Sequence, residues 1–314
     1  MRTVDAVLEE IVALRRVGFR FIALAITIIG MVVVTLQARG LEAQRRQQAA
    51  RHARVLGGDH VDLAEQGGGA ARGFAHIGVL QVLEEEGIKP TLVVGTSAGS
   101  VVAAFYASGK TGAQLQHVAE TMDEAAFTDW TLPIFSRGIL RGDALAKYVQ
   151  TQVNSRLIED MPLPLGIVAT DLQNGQGVLF RRGDTATAVR ASSAVPSVFE
   201  PVRINGRDYV DGGLVSPVPV RYARQMGAEV VLAIDISSAP EYGNTNDMFQ
   251  ILMQTFTIMG KSIKEYELRE AEVVVRPALD GVGSASFGER QRAIQAGRQA
   301  MQQALPELKR FLQP

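Results

Sequence analysis

The sequence contains no cysteine. That absence excludes disulfides, thiolate nucleophiles, zinc–thiolate sites, iron–sulfur clusters and lipoprotein acylation, although it does not assign a redox compartment. Neither sign of charge is in excess, because 32 Lys and Arg residues balance 33 Asp and Glu residues. No nucleic-acid partner is therefore expected, since such proteins carry a basic surface. Histidine is scarce as well, and the four histidines are His52, His60, His76 and His117.

One long apolar stretch lies near the N-terminus. Residues 21–36 read FIALAITIIGMVVVTL, and with its flanks this segment covers residues 17–38. As a helix rising about 1.5 Å per residue, it is long enough for a hydrocarbon core about 30 Å thick. We expect membrane association through a single-pass anchor at residues 17–38, or export if the segment is a cleaved signal peptide ending near Ala38. A buried helix of a soluble protein is the third interpretation.

From about residue 61 the pattern alternates between short apolar runs and helical stretches. Continuous apolar runs suit strands that are buried on both faces, so the alternation predicts an α/β fold with a central, mostly parallel sheet covered by helices on both sides. The predicted strands are 92–95, 165–170, 178–180, 209–210, 230–236 and 272–276, and the predicted helices are 74–86, 98–108, 111–120, 142–154, 247–270 and 289–311.

The first motif that suggests chemistry is Gly95-Thr96-Ser97-Ala98-Gly99, which lies between a predicted strand and a predicted helix. Its two glycines permit a tight turn that exposes the serine hydroxyl at the start of the helix, where the helix dipole favours an alkoxide-like nucleophile. The same pattern also occurs in ordinary turns between a strand and a helix. The strand–turn–helix setting predicts that Ser97 is a nucleophile.

A second motif, GGGAARG at residues 67–73, runs into the helix predicted from Phe74. Successive backbone N–H groups at a helix N-terminus bind phosphate or a developing oxyanion. No Gly-Lys-Ser/Thr follows, which excludes a Walker phosphate loop, and the acidic residue of a dinucleotide-binding motif is missing at its usual spacing. Beside a serine nucleophile, the segment predicts an oxyanion hole. The residues of this oxyanion loop are Gly68, Gly69, Ala70, Ala71, Arg72 and Gly73.

The third motif is Asp211-Gly212-Gly213, which follows a predicted strand. Alone it would indicate only a turn. No histidine follows it, however, so the Ser–Asp–His order of an α/β-hydrolase triad cannot be completed. We therefore predict a serine–aspartate dyad in which Asp211 accepts the Ser97 proton directly. His76 is interpreted as a packing or capping residue. A carboxylate base of ordinary pKa would stay ionised below the usual histidine pKa of about 6.5.

These three motifs, in this order, resemble those of the patatin-like phospholipase family. Further segments that resemble that family are residues 169–172, 191–196 and 199–202. The resemblance covers about residues 61–236 and implies a patatin-like three-layer α/β sandwich. It also implies a serine–aspartate lipid acyl hydrolase that needs neither a metal nor an organic cofactor. It places the nucleophile on Ser97, the proton acceptor on Asp211 and the oxyanion loop on residues 68–73.

The expected organisation has three parts. Residues 1–60 form the hydrophobic anchor or signal segment with a basic linker, residues 61–236 the patatin-like hydrolase domain, and residues 237–314 an extension of helices and a strand that completes the same fold. The expected reaction is cleavage of the fatty-acyl esters of phospholipids or lysophospholipids through an acyl-enzyme, with lipid and membrane as partners. An acyltransferase that uses the same acyl-enzyme and a non-catalytic lipid-binding protein are the alternatives.

Two residues depart from the family pattern. Ala70 stands where the family has the middle glycine of its loop, and Glu65 lies in the strand before the loop, where a central strand is almost wholly apolar. Either this strand borders a wet part of the site or the segment fits poorly. The segment FTDWTLPIF at residues 127–135 is interpreted either as an apolar lip for acyl chains or as a packing loop.

Overall fold

The computed structural model describes residues 60–65, 71–122, 138–237, 248–282 and 287–312. The hydrophobic segment predicted at residues 17–38 and the apolar segment at 127–135 lie outside these ranges. Among the described helices, none combines the length and apolar character needed to cross a bilayer. The anchor and the acyl-chain lip therefore stay predictions.

Strands and helices alternate through the described ranges. The strands are β1 His60–Glu65, β2 Lys89–Thr96, β3 Gly138–Leu140, β4 Leu165–Asp171, β5 Gly177–Phe180, β6 Ser197–Phe199, β7 Val202–Ile204, β8 Arg207–Asp211, β9 Val231–Ile234 and β10 Val273–Val275. The helices are α1 Phe74–Glu85, α2 Ala98–Ala107, α3 Gly112–Thr121, α4 Asp143–Gln152, α5 Thr185–Ser192, α6 Val220–Met226, α7 Met248–Leu268 and α8 Arg290–Leu312. Every predicted strand and helix is present, with ends that differ by a few residues.

The main sheet has the strand order β10-β9-β1-β2-β4-β8-β7, and β5 pairs with β4 as well. The five strands from β10 to β4 are parallel, whereas β5, β7 and β8 are joined by antiparallel pairing. The α/β prediction is confirmed, but the sheet is mixed. One of its antiparallel pairs is a tight β7–β8 hairpin, in which Asn205 and Gly206 have φ of 49° and 81°, the left-handed backbone that such two-residue turns require.

Side chains of the central strands alternate between two cores. Val93 lies in one core, and its neighbours Leu92 and Val94 lie in the other. The first core also contains α1, α2 and α8, and the second contains α6 and the end of α7. Because successive side chains of a strand point to opposite faces, the sheet is covered on both sides. This three-layer arrangement agrees with the fold class predicted.

Helix α1, which begins immediately after the glycine-rich motif, is held by direct backbone contact with α8. A Cβ atom on Gly78 would lie 2.0 Å from the Ile294 carbonyl oxygen, and one on Gly297 would lie 1.9 Å from that of Ala75. No side chain fits at either position, so glycine is required for this close crossing. The contact fixes the helix at whose N-terminus the predicted oxyanion loop ends.

Strand β1 leads into that loop and is central in the sheet. It pairs in parallel with β2 on one side and with β9 on the other. Glu65, the residue that departs from the apolar pattern, pairs through its backbone with Gly95 and Ile234. Its strand is therefore not at an edge of the sheet.

Candidate active site

Ser97 occupies the turn between β2 and α2, as its motif predicts. Its backbone has φ 53° and ψ −125°, a conformation that is rare for residues other than glycine and costs on the order of 1–3 kcal/mol. Gly95 makes the turn possible, because a Cβ atom there would lie 2.5 Å from Cα of Ser100. Strain of this kind persists only where the surrounding structure holds it. Ser97 is half-buried and lies at the N-terminus of α2.

Ser192 holds the Ser97 backbone in place. Its buried hydroxyl accepts a hydrogen bond from the Ser97 N–H at 2.8 Å and donates one to the Val168 carbonyl at 2.6 Å. One hydroxyl thus connects the strained turn to strand β4. The sequence analysis did not assign Ser192 a role. In the sequence, only the resemblance of residues 191–196 to a family segment pointed to Ser192. That resemblance does not indicate which groups its hydroxyl is hydrogen-bonded to.

Asp211 meets Ser97 because two strands end at the same point of β4. Thr96, the last residue of β2, pairs with Val168, and Asp211, the last residue of β8, pairs with the next residue, Ala169. Since β5 occupies the opposite edge of β4 at these residues, β2 and β8 lie on one edge. They approach from opposite directions because one is parallel to β4 and the other antiparallel.

The Asp211 carboxylate is fixed on several sides. Its backbone N–H donates to the Ala194 carbonyl at 2.9 Å, and its carbonyl accepts from the Thr170 hydroxyl at 2.8 Å. Its Oδ1 atom accepts the Gly213 N–H at 2.7 Å, and the Ser97 side chain lies close enough to lower the pKa of the carboxyl. The structure therefore brings together the two residues that the sequence predicts as a dyad.

Gly212 is required by close approach rather than by an unusual backbone angle. A Cβ atom at this position would lie 2.2 Å from the Val168 carbonyl oxygen and 3.0 Å from Cγ2 of Thr96. Any larger residue would push the chain after Asp211 away from β2 and β4. The glycine thus keeps Asp211 near Ser97.

Burial determines the acidity of the proposed base. It raises the pKa of the Asp211 carboxyl from 3.8 to about 6, and hydrogen bonds to Ser97 and Gly213 offset part of this effect. A base with a pKa near the working pH combines correct ionisation with useful basicity. The sequence-based expectation of an ordinary carboxylate pKa is therefore revised. Because a pKa of about 6 is close to that of histidine, a pH–rate profile alone does not distinguish Asp211 from a histidine base.

The oxyanion loop is described only in part. Gly68, Gly69 and Ala70 lie outside the described residues, whereas Ala71, Arg72 and Gly73 form the turn that enters α1. The assignment of the oxyanion hole and the effect of Ala70 stay predictions.

The Arg72 side chain has a structural role in this turn. Its buried guanidinium donates to four backbone carbonyls at 2.7–3.1 Å, and all four follow the ends of β9 and β10. The acceptors are Ile236, Ser237, Leu279 and Val282. Arg72 therefore connects the turn at residues 71–73 to the segments that follow β9 and β10.

His76 is the histidine nearest in sequence to the oxyanion turn, and it is fully buried in α1. Its Nδ1 atom lies 2.8 Å from the Gly73 carbonyl oxygen, and its Nε2 atom has no hydrogen-bond partner among the described residues. Burial lowers the pKa of His76 to about 4, so the ring is neutral at physiological pH. These contacts suit a packing residue at the first turn of the helix. His117 is exposed on α3.

Across the described ranges, no three His, Cys, Asp or Glu side chains converge as a metal ion would require.

Bacterial and mammalian proteins have similar sequences. An uncharacterized NTE family protein of Mycobacterium tuberculosis is 36% identical over 182 residues, covering 58% of this chain and 50% of that protein. Patatin-like phospholipase domain-containing protein 6 of Homo sapiens is 32% identical over 265 residues, covering 79% of this chain and 19% of that protein. The chain thus spans about half the length of the mycobacterial relative and a smaller part of the human one.

A match among solved structures covers most of the chain. The crystal structure of VipD from Legionella pneumophila has a TM-score of 0.49 and 16% identity, covering 79% of this chain and 66% of VipD. At the level of families, the sequence matches the patatin-like phospholipase family over residues 66–224. This match covers half of the chain and includes the nucleophile turn and the aspartate motif. The chain therefore belongs to the patatin-like phospholipase family.

Proposed function

We propose that this protein is a lipid acyl hydrolase that uses Ser97 and Asp211 as a catalytic dyad. The observation that carries the proposal is that strand pairing places a serine in a strained strand–helix turn beside a buried aspartate of raised pKa. Membership of the patatin-like phospholipase family supports a lipid substrate. The reaction class is hydrolysis of a fatty-acyl ester, as in a phospholipase A, a lysophospholipase or an esterase.

The proposed cycle has two halves. Ser97 Oγ attacks the ester carbonyl while Asp211 accepts the hydroxyl proton. The tetrahedral oxyanion is stabilised by backbone N–H groups of the oxyanion loop, as the sequence predicts. Collapse breaks the ester C–O bond, and the proton passes from Asp211 to the leaving alcohol. Water then attacks the acyl-enzyme, Asp211 takes its proton, and collapse returns that proton to Ser97 and releases the fatty acid.

An ester assay tests this function directly. We expect the full chain to release p-nitrophenol from a short-chain p-nitrophenyl ester and fatty acid from a lysophospholipid, and Ser97→Ala to release neither. An added alcohol or lysolipid acceptor separates the reaction classes, because an acyltransferase would form the acylated acceptor at the expense of free fatty acid. Binding of lipid vesicles without turnover of any ester would instead identify a non-catalytic lipid-binding protein.

We further propose that residues 17–38 hold the enzyme at a bilayer, since the predicted segment is uncharged except for Arg20 and precedes every catalytic motif. The full-length chain should then stay in the membrane pellet through high-salt and carbonate washes. A shortened chain in the soluble fraction, cut near Ala38, would indicate a signal peptide. Uncleaved chain in the soluble fraction would reject both interpretations.

A further inference from the structure

A second buried carboxylate lies close to the acid motif. Glu267, near the end of α7, is only 4% exposed. Its Oε2 atom accepts the Val218 N–H at 3.0 Å, and its Oε1 atom accepts the Ser216 hydroxyl. A buried ionised carboxylate is costly unless hydrogen-bonded, and here both of its partners belong to the segment that follows Asp211. The dyad mechanism does not use this group.

Ser216 is bound on two sides. Its carbonyl accepts the buried Thr96 hydroxyl at 3.1 Å, and its N–H donates to the Gly212 carbonyl at 2.9 Å. Thr96 directly precedes the nucleophile, and Gly212 directly follows the base. Through Ser216, Glu267 is therefore connected both to Thr96, next to Ser97, and to Gly212, next to Asp211. Helix α7 is otherwise half-exposed over most of its length.

We propose that Glu267 is a positioning residue, which through Ser216 and Val218 holds the segment after Asp211 against Thr96 and so sets the Ser97–Asp211 geometry. This inference rests on the proposed function of the dyad. It predicts that Glu267 acts on the rate of Ser97 acylation, and that KM for a small ester changes little, because Glu267 itself does not touch the substrate.

The ionisation of Glu267 makes this role testable. Burial raises the pKa of Glu267 to about 7, and the hydrogen bonds to Ser216 and Val218 and the charge of Arg221 oppose the rise. The charged groups that face it are Arg221 on α6, whose Nε lies 3.8 Å away, and Glu270 in the turn that follows α7, whose charge adds to the rise. These two residues and Tyr266 also line a pocket of about 350 Å³ next to Glu267.

Protonation of Glu267 replaces two charge-assisted hydrogen bonds with neutral ones, which are about half as strong. The segment after Asp211 should then be held less firmly as the pH falls below about 7. An uncharged glutamine keeps the shape of the side chain and resembles its protonated form at every pH. Glu267→Gln is therefore the informative variant.

The experiment follows fluorophosphonate labelling of Ser97 from pH 5.5 to 9 in the full chain, with amide hydrogen exchange of residues 211–218 measured in the same samples. We expect Glu267→Gln to label about threefold to tenfold more slowly than wild type at pH 8 and within twofold of it at pH 6. Glu267→Ala should label at least about tenfold more slowly at both pH values and exchange faster in this segment. Glu265 is an exposed carboxylate on the same helix. The matched control is therefore Glu265→Gln, which should behave as wild type.

The inference is overturned if Glu267→Gln matches Glu265→Gln in labelling rate, pH profile and exchange, or if its labelling falls equally at all pH values while exchange of residues 211–218 is unchanged. If Glu267→Ala does not fold, the glutamine variant decides alone. Absence of Ser97 labelling in wild type would reject the proposed function instead. In that case, amide hydrogen exchange still tests the anchoring of residues 211–218. Exchange in Glu267→Ala at the wild-type rate would reject this anchoring, and faster exchange would support it.

Discussion

Ser97→Ala should abolish ester hydrolysis and fluorophosphonate labelling while the protein stays folded. Removing the nucleophile of a serine hydrolase costs on the order of 10⁴–10⁶ in kcat, because the acyl-enzyme cannot form. Alanine occupies the strained turn as serine does, so the backbone should not change. The measurements are the initial rate with a p-nitrophenyl ester, mass-spectrometric mapping of the adduct, and thermal unfolding by circular dichroism.

Ser108→Ala is a suitable control, because that serine ends α2, the same helix, and its hydroxyl bonds only locally to the Phe105 carbonyl at 2.7 Å. It should label and hydrolyse as wild type. An adduct on another serine, together with an active Ser97→Ala protein, would contradict the assignment of the nucleophile.

Asp211→Asn should lower kcat by about 10³–10⁴, since the amide cannot accept the serine proton. The same change should stabilise the protein above pH 6. In wild type the raised pKa means that the folded state binds this proton more tightly than the unfolded state, so the free energy of unfolding falls as the pH rises from about 4 to 6 and stays lower above it. The rise from 3.8 to about 6 corresponds to about 3 kcal/mol.

We therefore expect the Asp211→Asn protein to be more stable than wild type by up to about 3 kcal/mol at pH 8, and by little at pH 4. Chemical denaturation at both pH values measures this difference. The amide oxygen can still accept the Gly213 N–H, so the turn should be retained. Wild-type activity should rise with pH through about 6. An active asparagine variant would show that Asp211 is not the base.

His76→Gln is the matched test of the alternative base. His76 is neutral and bonded to the Gly73 carbonyl, so a folded His76→Gln protein should keep its activity within about tenfold. This comparison is needed because the pKa of Asp211, about 6, is close to that of histidine, so both bases would give a similar pH–rate profile. A folded His76→Gln protein as inactive as Ser97→Ala would replace the dyad with a histidine-assisted mechanism.

The longer elements and both members of the dyad were predictable because their signals are local. A buried strand, a Gly-x-Ser-x-Gly turn and an Asp-Gly-Gly turn each lie within a few neighbouring residues. Short elements such as β6, β7, α5 and α6 were missed, because three to eight residues hold too little periodicity to distinguish a strand or helix from a loop. The three-residue strands β6 and β7 are defined by their pairing with β3 and β8.

The partners of the dyad could not be predicted, because they depend on the register and order of the strands. The sequence separates Thr96 from Asp211 by more than a hundred residues, and only their pairing with consecutive residues of β4 makes them neighbours. The hydroxyl of Ser192, the buried carboxylate of Glu267 and the carbonyls bound by Arg72 became significant in the same way. Burial then changed the acidity of Asp211, because the pKa of a carboxyl depends on the solvent and hydrogen bonds around it. Local chemistry is encoded in neighbouring residues, whereas distance, desolvation and strain arise only when the chain packs.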